Sequence, residues 1–245
     1  MTIKAKFPIP LVEDFLDELG KAKVFSKLNL RSRYHQITMR LDDVEKTTFQ
    51  THSGQYEYVV MPFGLSNSLA TFQGTMNAIF AELLRKCVLI FFYDILIYSP
   101  SHTEHLIHLW HVLSILRNNH FFAKKSKCAF FTPRIEYLGH FITAKGVSTD
   151  PVKIQVVQDW PSPHNVKKLR GFLGLTGYYR RFLKNYSILV SPLTNLLRKY
   201  VFSWSESVDV AFCQLKAALV NAHVLAIPAM SQPFVIETDA SNTRI

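Results

Sequence analysis

The stretch from Val88 to Ser99 reads Val-Leu-Ile-Phe-Phe-Tyr-Asp-Ile-Leu-Ile-Tyr-Ser and holds one charge, Asp94, between two runs of apolar, β-prone residues. Each run has the length of a strand, so the stretch predicts a β-hairpin with Tyr93 and Asp94 at its turn. The chain must cover both runs, and it must also deal with the carboxylate. An ionised group among apolar neighbours is costly unless it is paired or sits at the lip of a sheet. Two readings meet that demand: Asp94 binds a metal ion, or it is a turn aspartate that bonds its own backbone.

The rest of the chain can supply the cover. With 245 residues, 48% of them hydrophobic, it can bury a sizeable core as one large domain or two smaller ones. A formal charge of +10 and a pI near 9.5 favour a polyanionic partner, with nucleic acid first, because each Lys or Arg set beside a phosphate releases condensed counterions. Cys87, Cys128 and Cys213 are odd in number and widely spaced, matching neither a disulfide framework nor a zinc pattern, and are read as small buried residues of a reducing compartment. No apolar run has the length of a membrane span and the first residues lack a signal-peptide core, so the expectation is a soluble, intracellular protein, cytoplasmic or nuclear, with no membrane partner.

Taken in order, Leu11, Phe15, Leu16 and Leu19 follow Pro8 and Pro10 at helical spacing, with Gly20 placed to end the helix. Phe25, Leu28, Leu30, Ile37 and Met39 suggest a strand, a break and more extended chain. From Asp42 to Val60, polar and apolar residues alternate around Ser53-Gly54, which predicts a hairpin. Ala70, Phe72, Met76, Ile79, Phe80 and Leu83 then recur with helical spacing and predict a helix beneath the Val88 hairpin. Ser101 with Glu104 makes a capping box that opens a helix through Leu116. Ile135 to Ile142 predicts a second hairpin, and Asp150-Pro151 an N-cap with proline at the first helical position. Further helices are expected over Val166 to Leu175, Ser187 to Leu197 and Val208 to Asn221, so a mixed sheet-and-helix part gives way to a helical part between Thr143 and Asp150.

Charge divides along the same boundary. Between Asp159 and Glu206 there is no acid, yet the segment holds Lys167, Lys168, Arg170, Arg180, Arg181, Lys184, Arg198 and Lys199, interleaved with Tyr178, Tyr179 and Phe182. A solvated helix face explains many such runs, but the absence of balancing acids favours a surface that tracks phosphates. His102, His105, His108 and His111 recur every three residues; steps of three drift around a helix and only Glu104 joins them, so a zinc site is not expected.

Several blocks stand in one register along nearly the whole chain: Lys6-Phe7-Pro8-Ile9-Pro10, Phe25-Ser26-Lys27-Leu28, Tyr34-His35-Gln36-Ile37, Met61-Pro62-Phe63-Gly64-Leu65, Ala70-Thr71-Phe72, Ile95-Leu96-Ile97-Tyr98-Ser99, Tyr137-Leu138-Gly139-His140, Phe172-Leu173-Gly174-Leu175 with Tyr178-Tyr179-Arg180-Arg181-Phe182, and Thr238-Asp239-Ala240-Ser241. In these blocks the chain resembles the reverse transcriptase of gypsy-type long-terminal-repeat retrotransposons. The resemblance implies an α+β fold, a right-hand polymerase palm with a mixed or antiparallel sheet followed by a helical thumb. It divides the chain into partial fingers and palm over 1–142, thumb and connection over 143–232, and the beginning of an RNase H-like domain over 233–245, with Asp239 as that domain's first acid. It also implies further fingers residues upstream of this chain.

The activity implied is RNA-directed DNA polymerisation on a primer-template of RNA or DNA with deoxynucleotide triphosphates, by transfer across two Mg²⁺ ions that carboxylates hold. The family block Lys-Leu-Asp-Leu-Arg-Ser-Gly-Tyr reads here Lys27-Leu28-Asn29-Leu30-Arg31-Ser32-Arg33-Tyr34, so Asn29 replaces one metal-binding aspartate and Arg33 a glycine. At the hairpin, Tyr93 replaces the first of two adjacent aspartates and Asp94 alone is retained, while Leu69 replaces a proline. An amide and a phenol bring no negative charge at neutral pH, so Mg²⁺ binding and catalysis are expected to be impaired. By the same resemblance, Leu30, Tyr34, Phe63 and Gly64 fall at the nucleotide site. Tyr34 senses the ribose 2′ hydroxyl, and Leu138, Gly139, His140, Lys167, Lys168, Arg170, Arg180 and Arg181 meet the primer-template. The alternative is a non-catalytic nucleic-acid-binding or interaction protein that uses palm and thumb as a platform.

Overall fold

The computed structural model describes residues 4, 11–20, 22–198 and 202–227; the Lys6 to Pro10 block, Lys199 and the Thr238 to Ser241 block with Asp239 lie outside them. Helix α1 (Val12–Asp17) precedes strand β1 (Val24–Asn29), a 3-10 turn (Arg33–Gln36), the short helix α2 (Leu41–Val44) and the hairpin β2 (Phe49–Thr51) and β3 (Gly54–Tyr56). Helix α3 (Ser68–Ile79), strands β4 (Val88–Phe91) and β5 (Asp94–Ser99), helix α4 (His102–Asn118) and strand β6 (Ala129–Thr132) follow. A meander of β7 (Arg134–Tyr137), β8 (His140–Thr143) and β9 (Gly146–Thr149) leads into α5 (Pro151–Gln158), α6 (Val166–Tyr178), α7 (Tyr186–Leu196) and α8 (Glu206–Val220).

The central sheet is antiparallel, in the order β4-β5-β1-β6. Its β5 strand explains why the Val88 to Ser99 stretch is apolar on both sides of Asp94. Ile95 and Ile97 face Phe72 and Met76 of α3 and Val112 and Leu116 of α4, while Leu96 and Tyr98 face Phe15, Leu16 and Leu19 beside α1 and Ile135, Tyr137 and Ile142 of the meander. A strand covered on both faces has no polar side to alternate. The helical part has its own core of Leu169, Phe172, Leu193, Phe212 and Leu215.

Half of the capping box forms: Ser101 accepts from the Glu104 N–H, while the Glu104 carboxylate takes the Ser101 hydroxyl; Asp150 caps α5 through the Val152 N–H. Three expectations are corrected. The hairpin foreseen over Asp42 to Val60 shrinks to six residues turning at His52 and Ser53, because residues 41–47 coil into helical turns that set Lys46 on Asp43. The hairpin over Ile135 to Ile142 gains a third strand, since Gly146 lets Val147 pair with the backbone of Leu225. Gly146 has φ +140°, and a Cβ there would lie 2.2 Å from the Leu225 carbonyl oxygen. Of the cysteines only Cys87 is buried; Cys128 is half-buried and Cys213 exposed. No helix of the described residues is long and apolar enough to cross a membrane.

Candidate functional site

The β4–β5 hairpin closes through Phe92 and Tyr93, with Phe91 paired to Asp94, so the turn falls one residue earlier than the sequence suggests and Asp94 begins a strand. Phe92 has φ +53°, whereas Tyr93 does not enter the left-handed region. That sign pattern belongs to a type II′ turn, where glycine is the usual first residue. A buried side chain holds Phe92 there instead. Gln73 of α3 donates to the Ile90 carbonyl at 3.0 Å and accepts the Phe92 N–H at 2.7 Å. Sequence reasoning passed over Gln73, although a glutamine on the apolar stripe of a predicted helix is a signal that a backbone needs a partner.

The register of β1 against β5 sets Asn29 opposite Asp94, and the Asn29 Nδ2 donates to the Asp94 Oδ1 at 2.6 Å. Asn29 thus presents its amide nitrogen to the carboxylate, not an oxygen. Burial pushes the Asp94 carboxyl above its ordinary range; the Asn29 bond and the charges of Lys27 and Arg33 pull the other way, and Glu136 adds to the rise. Glu136 is itself tied to Lys27, whose Nζ lies 2.5 Å from its carboxylate. For Glu136 burial acts upward, but the Lys27 bond and charge and the Gly139 N–H outweigh it and leave its pKa lowered.

Tyr93 and Arg33 meet each other. The Arg33 guanidinium lies 3.9 Å from the centre of the Tyr93 ring. Arg33 has φ +47° and follows Ser32 at φ +54°, so two non-glycine residues in succession hold a left-handed backbone that glycine adopts without cost. Leu30 is buried and its N–H bonds the Tyr93 carbonyl at 3.0 Å. Tyr34 is buried edge-on between Phe63 and Phe72, at 5.1 and 5.4 Å, while Phe63 stays exposed and Gly64 has φ +92° with open space where a side chain would lie. Asn29, Arg31, Arg33, Phe63, Lys124 and Lys127 line a cleft of about 260 Å³. Leu69 lies in the first turn of α3 and is partly exposed.

The donor set here offers one carboxylate, already bonded to an amide N–H, beside a guanidinium. Mg²⁺ asks for several oxygen ligands and for negative charge, and these residues do not fit a pair of such ions. Among the described residues no group of three or more His, Cys, Asp or Glu could hold a metal. His105 is buried between Ser26 and Ser99, with its ring nitrogens 2.7 and 2.9 Å from their hydroxyls, and burial lowers its pKa to about 4. His108 also meets Ser99, at 2.8 Å, and His102 stacks on Phe131. His111 packs against Trp110.

A second cluster joins the meander to the helices. Leu138 and Gly139 form the β7–β8 turn with φ +49° and +70°, the two positive values of a type I′ turn. The Tyr178 hydroxyl donates to the Leu138 carbonyl at 2.5 Å and the Tyr179 hydroxyl to the Gly139 carbonyl at 2.8 Å. The His140 ring stacks between Tyr178 and Phe182 with centroids at 5.2 and 5.6 Å. It is 3% exposed, its Nδ1 has no partner, and burial, helped by the Arg181 charge, lowers its pKa to about 4.

The basic residues of the helical part separate into two sets. Lys167, Lys168 and Arg170 are exposed on α6, which buries Leu169 and Phe172, and form no ion pair among the described residues. Arg180 and Arg181 instead turn toward α1, where they pair with Glu13 at 3.2 Å and Asp17 at 2.8 Å.

Known proteins share both sequence and architecture with this chain. A sequence model described as reverse transcriptase (RNA-dependent DNA polymerase) matches residues 2–142, and one for an RNase H-like domain found in reverse transcriptase matches residues 204–245. The Pol polyprotein of Drosophila melanogaster transposon 297 is 39% identical over 244 residues, covering 99% of this chain and 23% of that protein. That of transposon gypsy, from the same organism, is 34% identical over 257 residues, covering 100% and 25%. The transposon Tf2-3 polyprotein of Schizosaccharomyces pombe is 37% identical over 240 residues, covering 98% and 18%. The chain therefore spans about a quarter or less of these relatives. Among solved structures, the foamy viral protease-reverse transcriptase with double-stranded DNA superposes with a TM-score of 0.86 at 23% identity, covering 95% of this chain and 49% of that one. The same enzyme with an RNA/DNA hybrid gives 0.83 at 22%, covering 91% and 31%. These likenesses establish the α+β fold.

Proposed function

We propose that this chain, which belongs to the reverse transcriptase (RNA-dependent DNA polymerase) family, binds primer-template nucleic acid on its palm and helical thumb but does not polymerise. The observation that carries the reading is the closed tip of the β4–β5 hairpin: Asn29 donates to Asp94 at 2.6 Å and Arg33 covers Tyr93 at 3.9 Å. Transfer across two Mg²⁺ ions needs carboxylates that neutralise both, and two of the three positions that would supply them carry an amide and a phenol. Losing one well-placed electrostatic contact typically costs a factor of about 10² to 10³ in rate. Losing two removes measurable extension.

Binding asks for less. Phosphate contacts need placed charge and carry no sequence information, and Lys167, Lys168 and Arg170 offer exposed cations that no acid engages among the described residues. The foamy viral enzyme, solved with double-stranded DNA and with an RNA/DNA hybrid, shares the fold, which supports a duplex or hybrid partner. In this reading the Leu138-Gly139-His140 turn positions the primer end, Tyr34 with Phe63 and Gly64 walls the nucleotide side, and Arg180 and Arg181 set the helical part against α1. Residues 1–142 then act as fingers and palm and 143–232 as thumb.

The test is Mg²⁺-dependent primer extension on an RNA template with three proteins: the unmodified chain, the Asn29→Asp, Tyr93→Asp variant, and the same variant with Arg33→Gly. The unmodified chain yields no extension. The triple variant extends best, because Arg33 would otherwise pair with the carboxylate introduced at position 93. The chain still binds an RNA/DNA hybrid, with affinity that falls steeply as salt rises. Extension by the unmodified chain, or a flat salt response, overturns the proposal.

A further inference from the structure

Helix α4 carries apolar residues on every side. From His105 to Leu116 it holds no Asp, Glu, Lys or Arg, and a helix of that kind belongs in an interior. Its inner face is buried, with Leu109, Val112 and Leu116 in one core with Ile95 and Ile97 of β5. His105 on that face is fully buried and held at both ring nitrogens, by Ser26 of β1 and Ser99 of β5, so the helix cannot roll about its axis to hide its other side. That other side is left outside. Leu106, Ile107, Trp110 and Leu113, spaced i, i+1, i+4 and i+7, are 61, 51, 65 and 42% exposed. The Trp110 indole rests against the His111 ring at 5.3 Å.

An uncharged stripe with a tryptophan at its middle has the composition of an interface core, where charged residues are depleted and Trp carries much of the energy. The charges that bracket the stripe indicate what covers it. Glu104 lies in the first turn of α4 and Arg117 in the last. The Glu104 carboxylate takes the Ser101 hydroxyl at 3.2 Å, and neither residue forms an ion pair among the described residues. Their signs are opposite and they stand at opposite ends, so the stripe is complementary to its own copy run antiparallel. A two-fold axis through Trp110 lays Trp110 on that of the second copy and Ile107 on its Leu113. It also brings each Arg117 to the other copy's Glu104, with the helix dipoles opposed. A partner of a single charge sign would leave one end unmatched. We infer that the outer face of α4 is an interface through which two copies of this chain associate as an antiparallel, symmetric dimer. A helix of 17 residues is about 25 Å long and 10 Å across, so each copy contributes on the order of 250 Å². A standard interface takes ~800 Å² from each partner, which makes this association reversible and dependent on concentration. It does not draw on the nucleic-acid reading.

Sedimentation equilibrium of the nuclease-treated chain, from about 1 to 100 μM, tests it. The mass rises with concentration from one copy toward two, and the dimer persists at about 0.5 M salt, because apolar contact holds it. Trp110→Glu weakens association at least tenfold and leaves the far-UV circular dichroism unchanged. At low salt, Glu104→Arg alone and Arg117→Glu alone each set like charges together and weaken association about fivefold. An equal mixture of these two variants pairs Arg with Glu at both ends and recovers the affinity of the unmodified chain. Should Trp110→Glu disturb the fold, the mixture decides, since mixing repairs an interface and not a helix. A single-copy mass at every concentration, a dimer that nuclease or salt removes, an unchanged dimer in a folded Trp110→Glu, or no recovery in the mixture each overturns the proposal. A chain that binds an RNA/DNA hybrid yet never dimerises strikes at this inference alone and leaves the nucleic-acid reading standing.

Discussion

At the Phe92–Tyr93 turn, side chains hold side chains as well as backbone: Asn29 holds Asp94 and Arg33 covers Tyr93, while Gln73, Tyr137 and the Leu30 N–H reach the main chain. At the Leu138–Gly139 turn the neighbours hold main chain, with Tyr178 and Tyr179 each donating to a turn carbonyl across forty residues of sequence. Both turns place a bulky residue at positive φ, Phe92 in one and Leu138 in the other. The contrast shows two ways of keeping such a backbone in place. Contacts between side chains can be exchanged as a set, so the tip is internally satisfied by an amide, a phenol and a guanidinium around its one carboxylate. Contacts to carbonyls depend on donors far away in the chain, so the junction persists only where those tyrosines and the His140 stack persist.

The sharpest way to break this comparison is to truncate one side chain on each side. His140→Ala removes a buried ring stacked between two others and is expected to cost about 3–5 kcal/mol in urea unfolding; a cost below 1 kcal/mol would show that the junction does not rest on that stack. Acid provides the next largest contrast, because the two regions respond with opposite sign. His140 has its pKa lowered to about 4, so its contribution is present above pH 6.5 and is lost as pH falls toward 4, up to about 3 kcal/mol. Asp94 has its pKa raised, so the stability tied to its neutral form is present below the unfolded value and is lost as pH rises through the folded one. Stability measured against pH should therefore show an acid-side loss that His140→Gln reduces, and Asp94→Asn should raise stability at neutral pH. Tyr179→Phe leaves the Gly139 carbonyl without its donor and is expected to cost about 1–2 kcal/mol by thermal unfolding. Arg33→Ala has the smallest effect, within about 1 kcal/mol, since it loses a cation–π contact at a half-exposed site. A larger loss would make the Arg33–Tyr93 pair a structural clasp comparable with the junction.

Much of this molecule was legible before any coordinates. The capping pairs Ser101/Glu104 and Asp150/Val152 lie within one helical turn, and the apolar stripes of α3, α4, α6, α7 and α8 repeat at helical spacing, so local rules reach them. The odd run around Asp94 and the blocks in register carried the family and the α+β fold. The Asp42 to Val60 reading found the hairpin but overran it, because alternation over charged residues with no buried face does not demand a strand.

What the sequence by itself determined is therefore what adjacent residues decide: where helices start and which strands are apolar. The tertiary structure decided what those residues touch. That Asn29 turns its amide nitrogen toward Asp94, that Arg33 lies on Tyr93, that Gln73 holds Phe92, and that Arg180 and Arg181 pair with α1 all depend on strand register and helix placement. Those distances are fixed by packing between segments up to 168 residues apart, and no local pattern carries information across such a gap.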